Sequence, residues 1–254
     1  MAAPENALER VKEFQLALLG LFLMIGLTVA AMVAASALVQ VKRYPYEVVT
    51  VTGAAAKNIQ SDFAEWTCRF ARRANAPASA FKALQSDRAV IVEYLKSVGV
   101  TAAEMEVSQI GTTALYKLND RGDTTNQIEG YELSQTITSR SADVVKIDRA
   151  AREATSLMSR DMVVDSQTPS FYYTKLDDLK VKMLGDATQN AFQRAQSMAK
   201  STGRGIGRLR TANMGVFQIT APNSTEVSDY GVNDTSSREK KVTAVVNATF
   251  ELAN

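Results

Sequence analysis

Residues Phe14 to Val41 form an uncharged run at the front of a chain that is otherwise ordinary in composition. Its apolar centre, Leu16 to Val39, reads LALLGLFLMIGLTVAAMVAASALV. At the α-helical rise this centre reaches about 36 Å, enough to cross a hydrocarbon core of ~30 Å with some tilt. Leu16, Leu19, Leu23, Ile25, Leu27, Val33 and Leu38 leave no polar stripe on the helix. The segment therefore reads as a membrane anchor rather than a buried core helix. A cleavable signal peptide is the competing reading, with Ala35-Ser36-Ala37 as its cleavage site. Such peptides have a positive start and an apolar region of ~7–15 residues. Here the run is longer, and Lys12 stands among Glu5, Glu9 and Glu13. The expected organisation is a short cytoplasmic leader (1–13), a transmembrane signal anchor (14–41) and a remainder (42–254) long enough for one large domain or two small ones.

Charge does not orient the span. Arg10 and Lys12 precede it and Lys42 and Arg43 follow it, a tie under the positive-inside rule. Lys42, Arg43, Tyr44 and Tyr46 are placed to sit at the membrane interface. The short leader is more easily left in the cytoplasm than the long domain.

Composition excludes several chemistries. Removing the two basic and three acidic residues of the leader and span from the chain's 29 and 27 leaves 27 and 24. That balance, with no basic cluster interleaved with aromatics, argues against nucleic acid as a partner. The chain has no histidine and one cysteine, Cys68. Ser-His-Asp and Cys-His systems, four-cysteine zinc sites and cysteine-ligated iron–sulfur clusters are thereby ruled out, and no cofactor is expected.

Hydrophobic periodicity lays out an α+β domain. Glu47–Gly53 reads as a strand that stops at its glycine, and Asp62–Arg73 as a half-buried strand with Ala64, Trp66, Cys68 and Phe70 on the core face. Ser79–Val98 is a helix with Leu84, Ile91, Leu95 and Val98 in one stripe, closed by Gly99. Thr101-Ala-Ala-Glu104 matches a capping box. Val107–Leu118 and Gly130–Arg140 are strands either side of the loop Asn119–Asn126. A second helix, Ala142–Arg160, faces Ile147, Ala150, Ala151, Ala154, Leu157 and Met158 inward. The strand Met162–Tyr173 precedes a third helix, Leu176–Thr202, with Thr174 as N-cap. Met183, Ala187, Ala191, Ala195, Met198 and Ala199 form its packing face. Strands Leu209–Ile219 and Lys241–Leu252 flank a polar loop, Thr220–Arg238, read as mobile. Gly203-Arg-Gly-Ile-Gly207 follows a helix, whereas a phosphate loop precedes one, so it is not read as a nucleotide site. The order ββα ββα βα ββ implies antiparallel or mixed sheet with helices packed on one face.

Within this order stand Thr50-Val-Thr-Gly53, Ser61-Asp62, Leu95-Lys-Ser-Val-Gly99, Glu104-Met-Glu-Val107 and Glu129-Gly-Tyr131. Arg194-Ala195, Met198-Ala199, Gly203 and Ile206-Gly207 follow in the last helix and the turn after it. Together, over roughly Val48 to Leu252, these residues resemble the SIMPL-domain family, which includes bacterial periplasmic immunogenic and oxidative-stress defence proteins. The family usually has Pro-Asp in place of Ser61-Asp62, and often a glycine where Ser159-Arg160 stand. Many relatives carry a cleavable signal peptide.

The resemblance implies an exported domain, a leader left in the cytoplasm and ring- or channel-like homo-oligomers, and it brings no catalytic residues. The expected protein is a non-enzymatic, single-pass protein of a bacterial inner membrane with its domain in the periplasm. It would self-assemble and contribute to envelope and oxidative-stress tolerance, with lipid and other copies of itself as partners. One alternative is an accessory subunit of a larger membrane complex. Another is a carboxylate-based or Ser/Lys hydrolase, although carboxylates such as Asp148 and Glu153 sit where a solvated helix face would put them.

Overall fold

The computed structural model describes residues 5–43 and 47–253, with side chains from 13–37 and 47–253. Tyr44 and Tyr46, and the side chains of Leu38, Lys42 and Arg43, lie outside the described residues. The helices are α1 (Glu5–Arg43), α2 (Pro77–Ser97), α3 (Val144–Glu153) and α4 (Leu176–Ser201). The strands are β1 (Val48–Gln60), β2 (Phe63–Ala74), β3 (Met105–Val107), β4 (Gly111–Leu118), β5 (Thr124–Ser141) and β6 (Val163–Ser166). They continue with β7 (Ser170–Tyr172), β8 (Gly205–Met214), β9 (Gln218–Thr220), β10 (Val232–Asn233) and β11 (Glu239–Ala253). One sheet runs β3-β5-β2-β6, with β4 also on β5 and β7 on β2. The other runs β1-β11-β9-β10, with β8 also on β11. The expected mixed helix-and-sheet class behind an apolar N-terminal helix is what the chain adopts.

The chain divides into a larger unit, Val51–Arg194 with Thr211–Ala248, and a smaller one, Met1–Thr50 with Ala195–Arg210 and Thr249–Asn254. In the larger unit β2 and β5 pair antiparallel from Ala64↔Ser141 to Ala74↔Tyr131. Strand alternation puts Ala64, Trp66, Cys68 and Phe70 on one face, all buried. Leu133 and Ile137 of β5 join them, covered by Leu84, Ile91 and Leu95 of α2 and by Ile147, Ala150 and Ala151 of α3. Each large side chain in this layer stabilises the fold by about 1.5–3 kcal/mol through burial. Trp66 donates its indole N–H to Ser166 Oγ at 3.2 Å, so its polar end is satisfied inside the core. On the opposite face Arg140 bridges Glu65 and Glu106, joining β5 to β2 and β3.

Several expectations need correction. β1 does not stop at Gly53 but continues to Gln60. The expected strand Val107–Leu118 is two strands, broken after Ser108, whose carbonyl accepts from the Gln135 side-chain amide and whose hydroxyl accepts from Thr136 N–H. Met162–Tyr173 is likewise β6 and β7, both antiparallel to β2. The second helix tightens to 3-10 winding from Ala154 to Arg160. That change of period turns Met158 out to 52% exposure while Leu157 stays buried. Met198 of α4 is also exposed, at 53%. Thr174 is not the N-cap: its amide and hydroxyl both donate to the Asp62 carboxylate, and Lys175 accepts the first helical hydrogen bond. The polar loop Thr220–Arg238 contains β10 and is held at several points. Asp234 N–H donates to Ile219 O, and the Gln218 side chain binds both main-chain groups of Ser228.

Candidate functional site

Two groups of residues carry functional interest: the apolar face of α1 and the residues on which the family resemblance rests. Within α1, Glu13–Ala37 has a mean hydropathy of 2.6 and is long and apolar enough to cross a membrane. Leu16, Leu19, Leu23, Ile25, Leu27 and Val33 are all exposed, so none of them serves a protein core among the described residues. The two hydroxyl side chains of this stretch return to the helix itself. Thr28 Oγ1 donates to Met24 O and Ile25 O at 3.0 and 2.9 Å, and Ser36 Oγ to Val33 O at 2.8 Å. A polar group in hydrocarbon must be satisfied from within, and these are.

Several of the resemblance residues of the domain turn out to be folding devices. Gly53 is where α4 meets β1: a Cβ there would lie 2.2 Å from Ala187 O and 2.5 Å from Ala191 N. On either side of this crossing, α4 satisfies the backbone of β1. Asn190 Oδ1 accepts from Ala54 N–H at 3.1 Å, and Arg194 donates to Thr52 O at 2.9 Å. β1 ends its sheet, so these bonds protect an edge that would otherwise offer unpaired groups. Gly99 and Gly203 close α2 and α4 in the left-handed conformation, with φ of 91° and 75°. Each helix is capped by the same pair of main-chain bonds, such as Gly99 N–H to Lys96 O and Val100 N–H to Leu95 O.

Glu104 closes the capping box and also ties it to α3. It accepts from Lys146 Nζ at 2.8 Å, Ser141 Oγ at 2.5 Å and Thr101 N–H at 2.8 Å. The Lys146 bond, then Ser141 and Thr101, hold its carboxyl at about 2, below the ordinary 4.5, against the opposing effect of burial. Asp62 clamps Thr174, and Ser61 N–H donates to Arg238 O at 2.9 Å. Nearby lies a buried pair that periodicity did not reveal. Lys240, 2% exposed, donates to Asp234 O at 2.5 Å and lies 4.0 Å from Asp234 Oδ2. Burial pushes the Lys240 ammonium down, partly offset by Asp234. Burial pushes Asp234 up, but hydrogen bonds from Ser236 and Ser237 prevail and hold it at about 2. A second pair, half-buried Arg72 on β2 with buried Asp87 on α2, is bidentate at 2.5 and 2.9 Å. The Asp87 bond holds the Arg72 guanidinium above its ordinary value.

Chemically these groups are anchors. The shifted carboxyls, Glu104 and Asp234, are held ionised, which suits ion pairing rather than proton transfer near neutrality. Cys68 is 0% exposed, and burial, followed by the Asp165 charge, pushes its thiol up to about 12. It packs as a small hydrophobe. Among the described residues no group of three or more His, Cys, Asp or Glu is arranged to hold a metal ion.

An exposed apolar helix followed by a two-sheet α+β domain, its motif residues spent on helix ends and helix–strand crossings, defines the class. The chain matches the SIMPL family, described as a protein of unknown function (DUF541), over residues 49–250, and it belongs to that family. No curated protein matches it. The matched span begins after α1, so the apolar helix stands outside the family domain.

Proposed function

We propose that the protein is anchored in a bacterial inner membrane by α1, projects its SIMPL domain into the periplasm, and self-assembles to support the envelope under oxidative stress. The observation that carries this reading is the fully exposed apolar stretch Glu13–Ala37 directly ahead of the family domain. Anchoring many copies in one plane raises their effective concentration, which favours assembly even through a weak contact. The work is structural rather than catalytic, in keeping with the absence of histidine. Two measurements test it. A C-terminal reporter active only outside the cytoplasm should be active, and light scattering of the chain in mild detergent should give a single mass several times that of one chain. An inactive reporter sinks the orientation, and a monomeric mass sinks the assembly.

A second reading, an accessory subunit of a larger membrane complex, is favoured by one observation. In the loop between β9 and β10, Val227 and Tyr230 are 78% and 97% exposed, while Gln218 braces the chain between them at Ser228. Rigidly presented tyrosine is a common interface anchor. Gentle purification that returns a stoichiometric second protein, lost on Tyr230→Ala, would favour this reading over self-assembly.

A further inference from the structure

We propose that the cleft between the last turns of α2 and the 3-10 segment after α3 binds a small zwitterion of the free amino-acid type. The cleft has a volume of about 330 Å³ and is lined by Glu93, Tyr94, Ser97, Ser156, Leu157, Ser159 and Arg160. That volume suits a small ligand. The base is firm: Leu157 is buried in the core, and the Tyr94 hydroxyl donates to Ala150 O at 2.6 Å, fixing its ring.

The charges distinguish this cleft. Glu93 and Arg160 line the same space, yet among the described residues neither makes an ion pair with the other or with a third group. The acidic neighbour of Arg160 in sequence, Asp161, turns the other way. It sits at φ 59° and its carboxylate lies 3.9 Å from Arg72. This leaves a cation and an anion on opposite partners of one cleft, a match for a molecule carrying both charges. A ligand carboxylate would take the planar guanidinium of Arg160. Its ammonium would take Glu93, helped by the partial negative charge at the C-terminus of α2. Ser97 and Ser159 donate their hydroxyl protons to Tyr94 O and Ser156 O, at 2.7 and 2.6 Å. Their oxygens are therefore left as acceptors for the ammonium. Leu157 and the Tyr94 ring give a small apolar wall, suited to a short side chain.

The test is titration calorimetry of the full-length chain in mild detergent, with L-alanine as the probe and acetate, methylammonium and inorganic phosphate as controls. The expected result is saturable L-alanine binding on the order of millimolar, at least about tenfold tighter than acetate or methylammonium alone. Arg160→Gln and Glu93→Gln should each weaken it about tenfold, with unchanged thermal unfolding midpoints showing that both variants fold. Non-saturable heats with L-alanine, or binding indifferent to both substitutions, overturn the proposal. So does phosphate binding that depends on Arg160 but not Glu93, since the cleft would then be a plain anion site.

Discussion

Gly53 shows how much one absent side chain can decide. The atoms a Cβ would meet first are helix backbone, Ala187 O and Ala191 N, which cannot swing aside as a flexible side chain can. Gly53→Ala should therefore destabilise the domain by about 3 kcal/mol or more, read as a fall in the urea midpoint at constant slope. Cys68 makes the opposite kind of prediction. With its thiol buried and raised to about 12 from an ordinary 9.0, a thiol reagent at pH 8 should not react with native protein and should titrate one group in denaturant. Glu104 sets part of the acid limit. Its folded value is depressed, so its contribution is fully present above about 4.5 and is lost as pH falls towards about 2. In Glu104→Gln, stability at neutral pH should drop and the slope of stability against pH in that window should flatten. An unchanged acid limb would show that the Lys146 clamp contributes nothing.

Among the elements, those with a strong period were legible and those with a local interruption were not. The inward face of β2, the stripe of α2 and the alternation of β11 were readable, because burial on one face writes itself into every second or every third and fourth residue. The breaks between β3 and β4 and between β6 and β7 were not, because side-chain to main-chain bonds at Ser108 and partner strands distant in sequence decide them. Met158 was misplaced because the helical period was carried past Ala154, where the winding tightens. Glycine was read as a stop at residue 53 because sequence does not distinguish a glycine that ends an element from one that admits a neighbour. The zwitterion cleft had no signal at all: its lining comes from two segments more than fifty residues apart. The edge of β1 offers an element-scale prediction. Asn190→Ala removes the acceptor from Ala54 N–H and should cost about 1 kcal/mol, with faster hydrogen exchange at Ala54 than at residues paired to β11.

At the scale of the whole molecule, the apolar helix and the family domain make separable demands. Leu23→Arg places a charge near the middle of Glu13–Ala37 and should cost about 2.5–3.5 kcal/mol of insertion. The wild-type chain should stay with membranes through carbonate extraction, and the variant should be partly released. Full retention of Leu23→Arg would mean that something other than α1 holds the protein there.

The sheet that contains β1 also has a consequence for how the protein is made. β1 is the first strand after the helix, and its partner in the sheet is β11, the last. On the ribosome, β1 emerges early and must wait, its ladder unmade, while the β2–β7 sheet can complete itself from chain already synthesised. Asp62 and Thr174 bracket that excursion, so it can close as a loop before α4 exists. The second sheet is sealed only when the final strand arrives. A nascent chain halted before Glu239 would carry a finished half beside an unmatched strand, a form that quality-control proteases could tell from the complete protein.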